Sequence, residues 1–302
     1  MNASVSGIGP VRRRARAVPV GRRNGCVRVG RVSRCESIPS VRNTAAALFA
    51  VVVACNDDER LASHVLASEL VARDGVAVHV ERGAASAGVA YNRGLDATDA
   101  PYVIFAHQDV YLPPGWGARL SQAVAELDRA DPSWAVAAPY GIEAGTGAGV
   151  GEVWSSSLGG LIGKPVAGPT PAQSFDELTI ILRRASGLRF DPALPGFHLY
   201  GTDIVQQARA AGMGAYVVPL PLIHNDGFKD RLRSDFTRSY AYMRRKWRAV
   251  LPIKTPVARI TWHGGNLRID ELRRHVSVRK RRERAITTEI DPKVYSARCG
   301  WE

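Results

Sequence analysis

A repeated switch of hydrophobic period along the middle of the chain does most to constrain its fold. Val51 to Ala54 is a largely β-branched apolar run that stops at Cys55-Asn56-Asp57, the pattern of a strand buried on both faces. Asp58 to Arg73 then places Leu61, Val65, Leu66 and Leu70 on one side of a helix, and Val76 to Val80 returns to strand character. Ser86 can cap a helix over Ala87 to Ala97, Tyr102 to Ala106 is a third strand, and Gly115 to Ala130 carries Leu120, Val124 and Leu127 at helical spacing. Trp134 to Pro139 and Leu178 to Leu182 read as strands, Thr202 to Ala211 as a helix and Tyr216 to Val218 as a strand. This alternation predicts an α/β fold, a mostly parallel sheet with crossover helices on its faces. Between Tyr140 and Phe175 the period vanishes in Gly, Ser and Pro, so that stretch is expected to be a long, substrate-covering loop.

Charge divides the chain into three parts. Residues 1–44 hold ten Arg against one Glu, residues 45–228 hold 11 basic against 19 acidic residues, and residues 229–284 hold 18 basic against five acidic. The net charge of +13 therefore belongs to the flanks of an acidic core, which argues against nucleic acid as the core's partner. The expected organisation is a disordered Arg-rich extension over 1–44, an acidic globular core over 45–228 and a basic helical extension over 229–302. Cys26, Cys35, Cys55 and Cys299 lack any CxxC spacing, so neither a zinc site nor a disulfide framework is indicated, and a reducing, cytoplasmic setting is expected.

AAALFAVVVACNDDE admits two readings. Val52-Val53-Ala54-Cys55 looks like a lipoprotein cleavage site, but the Arg-rich stretch before it is far longer than a signal-peptide n-region. A buried first strand is the reading that the later elements need. No run approaches the about 18 apolar residues of a membrane-spanning helix.

FAHQDVYLPPGW, Phe105 to Trp116, ends an apolar strand abruptly in His107-Gln108-Asp109. In α/β proteins the carboxyl ends of parallel strands are where ligands bind. On its own, a strand-end histidine more often bonds locally than binds a ligand.

VVVACNDDERL, AYNRGLDATDAPYVIFAHQDVYLPPGW and FDELTIILRRASGLRFDPALPGFHLYGTDIVQQARAAGMGAYVVPLPLIHN together resemble a family 2 glycosyltransferase of the GT-A fold, from about Ala47 to Pro252. The resemblance implies transfer of a sugar from a nucleotide-diphosphate donor to a glycan or lipid-linked acceptor, with inversion and a divalent metal, Mn or Mg. Asp109 matches the metal-binding aspartate of the family's paired-aspartate motif, and His107 stands where the other aspartate usually does. His224 matches a late metal-binding histidine of some relatives, and an imidazole with a carboxylate suits Mn²⁺ better than Ca²⁺. Asp203 matches the catalytic base, although Thr202 replaces the usual acid before it; an Asp near a helix start is also an ordinary cap. Cys55, Asn56, Glu81, Asn92, His107, Gln108 and Asp109 are the implied nucleotide-sugar contacts. Asp176, Glu177, His198 and Tyr200 are the implied acceptor contacts, and packing or solvation accounts for them equally well.

The basic C-terminal flank contains SDFTRSYAYMRRKWRAVLP, with Phe236, Tyr240, Met243 and Trp247 on one side of a helix. Packing of that side on the core is expected; Arg279 to Arg284 reads as a solvated face or a contact with an anionic membrane, which would make the enzyme peripheral at the inner face. A second class of function stays open, a non-catalytic GT-A-like or basic adaptor protein that binds anionic membrane or nucleic acid through its flanks.

Overall fold

A computed structural model describes residues 41–228, 232, 234–288 and 291–302. The extension expected to be disordered lies outside the described residues, except that residues 41–44 open a helix. That helix is α1 (Val41–Leu48), followed by β1 (Phe49–Cys55), α2 (Asp58–Ser63), α3 (Glu69–Ala72), β2 (Ala77–Arg82), α4 (Ala87–Asp96) and β3 (Tyr102–His107). Next come β4 (Val110–Tyr111), α5 (Trp116–Ala130), β5 (Trp134–Ala138), β6 (Tyr140–Glu143), β7 (Gly149–Gly151), β8 (Val153–Ser155), β9 (Gly160–Ile162), β10 (Thr170–Phe175) and β11 (Thr179–Arg183). The chain continues through α6 (Tyr200–Ala210), β12 (Gly214–Val217), β13 (Leu222–His224), α7 (Ser234–Lys246), β14 (Ile253–Lys254), β15 (Arg259–Ile260), α8 (Gly265–Val276), α9 (Val278–Arg284) and α10 (Pro292–Arg298).

The class is α/β, with a large central sheet and helices on both faces. Nine strands run in the order β2-β1-β3-β11-β5-β12-β10-β6-β7, and a smaller sheet runs β4-β13-β8-β9. β2, β1 and β3 are parallel, as the crossover helices require. Beyond them the sheet becomes mixed: β11 is antiparallel to both β3 and β5, while β12 is parallel to β5. By their pairings β10 and β11 both run antiparallel to the parallel pair β5 and β12, so β11 keeps the direction of the strand before it and the three residues between them are not a hairpin turn.

Alternation along β1 explains why its sequence reads as continuously apolar. Val51 and Val53 pack with Leu61, Leu70, Leu120 and Val124 on one face, whereas Val52 packs with Tyr91, Phe105 and Ile204 on the other. Each of these three valines is 0% exposed and contributes about 1.5–3 kcal/mol by leaving water. Ser86 caps α4 as expected, its Oγ accepting from Val89 N at 3.3 Å. Gly94 lets α4 lie close on β1, because a Cβ there would sit 2.2 Å from Val52 Cγ1.

Two expectations are corrected. The helix expected over Asp58 to Arg73 is broken into α2 and α3, with Ser68 Oγ accepting from Leu112 N at the break. Tyr140 to Phe175 is no open loop; it contains β6 to β10, strands of three to six residues that extend one sheet and supply two of the four strands of the other. Strands this short, interrupted by positive-φ Gly151 (φ 105°), leave too few alternations for a period to be visible.

All described residues belong to one compact unit, so the basic stretch after residue 228 is part of the same body as the core. On α7, Phe236, Tyr240 and Met243 are buried in the cluster that contains Tyr200 and Ile204, the packing expected of that helix. Among the described residues no helix is long and apolar enough to cross a membrane.

Candidate functional site

Three parallel strands end level with one another: Ala54 pairs with Glu81 on one side and His107 on the other. Their carboxyl ends open into a cleft of about 900 Å³ lined by Cys55, Asn56, Glu81, His107, Gln108 and Asp109. His224, Asp176, Glu177 and His198 also line it. Thus ten residues singled out in the sequence, from segments up to 169 positions apart, face one cavity.

The small sheet delivers His224 to this corner. β13 pairs His224 with Val110 of β4 and with Ser155 of β8, and Asn225 N donates to the Asp109 carbonyl at 3.0 Å. His107, Asp109 and His224 then present ligand atoms that lie within 4.8 Å of one another, an arrangement that can hold a metal ion. Asp109 Oδ1 is 3.5 Å from His224 Nε2 and 3.9 Å from His107 Nδ1. His224 Nε2 is buried beside the Asp109 carboxylate, and it can bind a cation only when the ring has lost the proton that this carboxylate favours. Its other nitrogen, Nδ1, faces Asp226 Oδ1 at 3.7 Å, and Asp226 is in turn held by the Ser155 and Ser156 hydroxyls and by Ser157 N. A carboxylate behind a histidine is the usual support of a metal ligand. Burial pushes the His224 pKa down, but Asp226, Asp109 and Asp176 outweigh it and raise it to about 8.

The tautomer of His107 follows from its neighbours. Tyr200 Oη donates to the Glu177 carbonyl at 2.9 Å, so its oxygen is left to accept from His107 Nε2–H at 2.9 Å. A proton on Nε2 leaves a lone pair on Nδ1, the nitrogen turned toward Asp109. Two imidazoles and one carboxylate form a mixed nitrogen and oxygen donor set, which suits a transition metal such as Mn²⁺ better than the oxygen-preferring Ca²⁺.

Other expected residues have structural duties in or around the cleft. Gln108 Oε1 accepts from Asn56 N (2.8 Å) and Asp57 N (3.0 Å), while its Nε2 donates to Asn56 Oδ1 (2.7 Å). This exchange fixes the turn after β1. Glu177 Oε1 accepts from Leu199 N at 2.8 Å and steadies a backbone with φ of 65° at a buried leucine, a conformation that costs about 1–2 kcal/mol. Burial raises the pKa of Asp176 and, together with the Asp176 charge, raises that of Glu177 well above its usual range.

Three of the named residues are not brought to the cleft wall. Asn92 Nδ2 donates to the Phe190 carbonyl and its Oδ1 accepts from Phe190 N, so it joins α4 to the segment before α6. Tyr200 lies behind His107, bonded also to Tyr91 Oη. Asp203, 1% exposed, spends its carboxylate on Trp247 Nε1 (2.7 Å), Gln207 Nε2 (2.8 Å) and Lys246 Nζ (2.9 Å). Burial raises its pKa against the pull of Lys246. A base turned toward an acceptor is therefore not what the structure shows at this position; Asp203 ties α6 to the end of α7.

The sequence reading missed Asp226, Asp235, Arg274 and Arg281, all of which line the cleft. Asp226 carried a signal, two residues beyond His224 at a strand end. The others come from the C-terminal helices and had none, since only packing turns them inward.

No protein-family model matches the chain. It is 30% identical over 165 residues to "ATP synthase subunits region ORF 6" of Fuscovulum blasticum, a match that covers 48% of this chain and spans 60% of that protein's length. Among solved structures it is similar to GalNAc-T7 with UDP, GalNAc and Mn²⁺ (TM-score 0.46, 13% identity, 67% of this chain and 48% of that one). It is also similar to the mannosyltransferase PcManGT from Pyrobaculum calidifontis with GDP-Man and Mn²⁺ (TM-score 0.42, 13% identity, 83% of this chain and 79% of that one).

Proposed function

We propose that this protein is a metal-assisted, inverting glycosyltransferase of the GT-A type that moves a sugar from a nucleotide-diphosphate donor to a hydroxyl of a glycan or lipid-linked acceptor. The observation that carries this is the convergence of His107, Asp109 and His224 at the carboxyl edge of β1, β2 and β3. Asp109, His224 and His107 would hold Mn²⁺ or Mg²⁺, which when bound offsets charge on a departing diphosphate. Asn56 and Glu81 would meet the nucleoside at the ends of β1 and β2, and Gln108 would keep the turn after β1 in place. His198 would meet the acceptor on the opposite wall.

A hydroxyl that attacks must give up its proton to a group within reach. With Asp203 sealed, that task falls to a carboxylate of the cleft, and Asp176 and Glu177 are the best placed. Their raised pKa values make them stronger proton acceptors than solvent-exposed acids. The test is a thermal-shift screen of nucleoside diphosphates with Mn²⁺ or Mg²⁺. Saturation at a hundred times Kd stabilises by about 2.7 kcal/mol, and a screen with no shift for any diphosphate refutes the proposal.

A further inference from the structure

Of the nine large apolar side chains exposed among the described residues, four fall between residues 262 and 276: Trp262 (71%), Ile269 (48%), Leu272 (63%) and Val276 (76%). The last three share one stripe of α8 by helical spacing. Leu267 and Arg274, about 180° around the helix from that stripe at 3.6 residues per turn, face the protein: Leu267 is buried in the core cluster and Arg274 lines the cleft. By the same spacing Arg268 and Arg273 border the apolar stripe, one on each side, whereas Asp270 and Glu271 fall nearer the inner face. Asp270 is held there by Arg259 N and Arg273. Over α8 and α9 together, eight basic residues stand against three acidic ones.

We propose that α8 docks the protein on an anionic lipid bilayer, with Ile269, Leu272 and Val276 entering the headgroup boundary and Arg268 and Arg273 on lipid phosphates. An apolar stripe bordered by cations is the signature of a helix that lies in a membrane interface, and an exposed Trp nearby suits the same depth. Charge selects this occupant over a second copy of the chain, because the basic excess of α8 and α9, eight basic residues against three acidic, would oppose itself across a shared face. It also selects it over nucleic acid, whose phosphates offer nothing to the apolar centre of the stripe. The inner face of the same helix carries Arg274 into the cleft, and Arg281 of α9 joins it there. Because the lipid-facing stripe and the cleft-facing side lie on opposite sides of α8, docking holds the cleft about one helix diameter, ~10 Å, from the lipid surface and, resting on the function proposed above, makes a lipid-linked acceptor the substrate class that the cleft meets.

Flotation of the full chain with vesicles tests this directly. It should float with phosphatidylcholine vesicles that contain phosphatidylglycerol, not with phosphatidylcholine alone, and binding should weaken at high salt. Leu272→Glu with Val276→Glu should cut partition by about tenfold or more, and Arg268→Glu with Arg273→Glu should do so on anionic vesicles only. All four side chains are on the outer part of α8, so an unchanged melting temperature confirms that the variants fold. Equal flotation of parent and Leu272→Glu/Val276→Glu would assign membrane binding to another segment and overturn the proposal. So would a failure to float with either vesicle, or a dimer that the same double variant dissociates. Nucleoside-diphosphate protection measured on the same samples separates failure of this proposal from failure of the transferase reading.

Discussion

Replacing Asp203 by Asn keeps the side chain's shape but removes half of its accepting capacity. The carboxylate takes three donors, Trp247 Nε1, Gln207 Nε2 and Lys246 Nζ, at 2.7–2.9 Å. An amide offers one oxygen and one NH₂, so whichever way it turns at least one of these donors meets another donor. An orphaned buried donor costs about 1–3 kcal/mol. Two terms reduce the total: Lys246 keeps its 2.6 Å bond to Asp191, and the raised Asp203 pKa shows that part of the carboxylate's burial cost is relieved by neutralising it. A net loss of about 2 kcal/mol is expected, or roughly 3–4 °C in Tm for a chain of this size. Calorimetry on Asp203→Asn, with turnover and nucleoside-diphosphate protection measured below its Tm, decides between a tie and a base. A tie lowers Tm and leaves the proposed transferase activity of the folded protein substantially intact. Trp247→Phe should then lose part of the same stability, and the double variant should lose less than the sum. An Asp203→Asn protein with the parent's Tm, intact nucleotide protection and no turnover would refute the argument.

Asp109→Ala and His224→Ala should each abolish the rise in Tm that Mn²⁺ gives the parent, and chelation should remove that rise without unfolding the protein; isothermal titration with Mn²⁺ checks both. Tyr200→Phe should weaken Mn²⁺ binding about tenfold by releasing His107 Nε2, while Asn92→Ala should change stability and leave the Mn²⁺ affinity alone. Tyr102, Tyr216 and Tyr242 have pKa values raised to about 12 by burial and by donation to Asp128, Asp131 and Asp191. Because each is higher folded than unfolded, its contribution is whole below about pH 10 and is lost as pH rises toward 12. Melting temperature should fall across that window, and a triple Tyr→Phe variant should fall less; equal slopes would show that these phenols do not carry the effect.

How much of this was legible in the residues depends on whether a signal is local. β1, α4 with its Ser86 cap, β3 and α5 were readable because period and capping act within a few positions. β7, β8 and β9 were not, because strands of three residues complete too few alternations to leave a period. The cleft wall showed the same division. Strand ends place Cys55, Asn56, Glu81, His107 and Asp109 at one edge of any parallel arrangement of β1, β2 and β3, so local pattern was enough to group them. Asp203 looked like a base by its place in GFHLYGTDI, and only the arrival of α7 shows that Lys246 and Trp247 occupy its carboxylate.

The sequence by itself determined the α/β class, the strand edge at which ligands gather and the residue types available there, since hydrophobic period and strand termination are properties of neighbouring residues. Tertiary structure decided which of those side chains share a cavity and which are consumed in holding it together. It turned Arg274 and Arg281 inward and left Ile269, Leu272 and Val276 in solvent. The physical reason is that a hydrogen bond or a buried charge is settled by its partner, and here the partners lie tens of residues away, on helices whose docking no local pattern records.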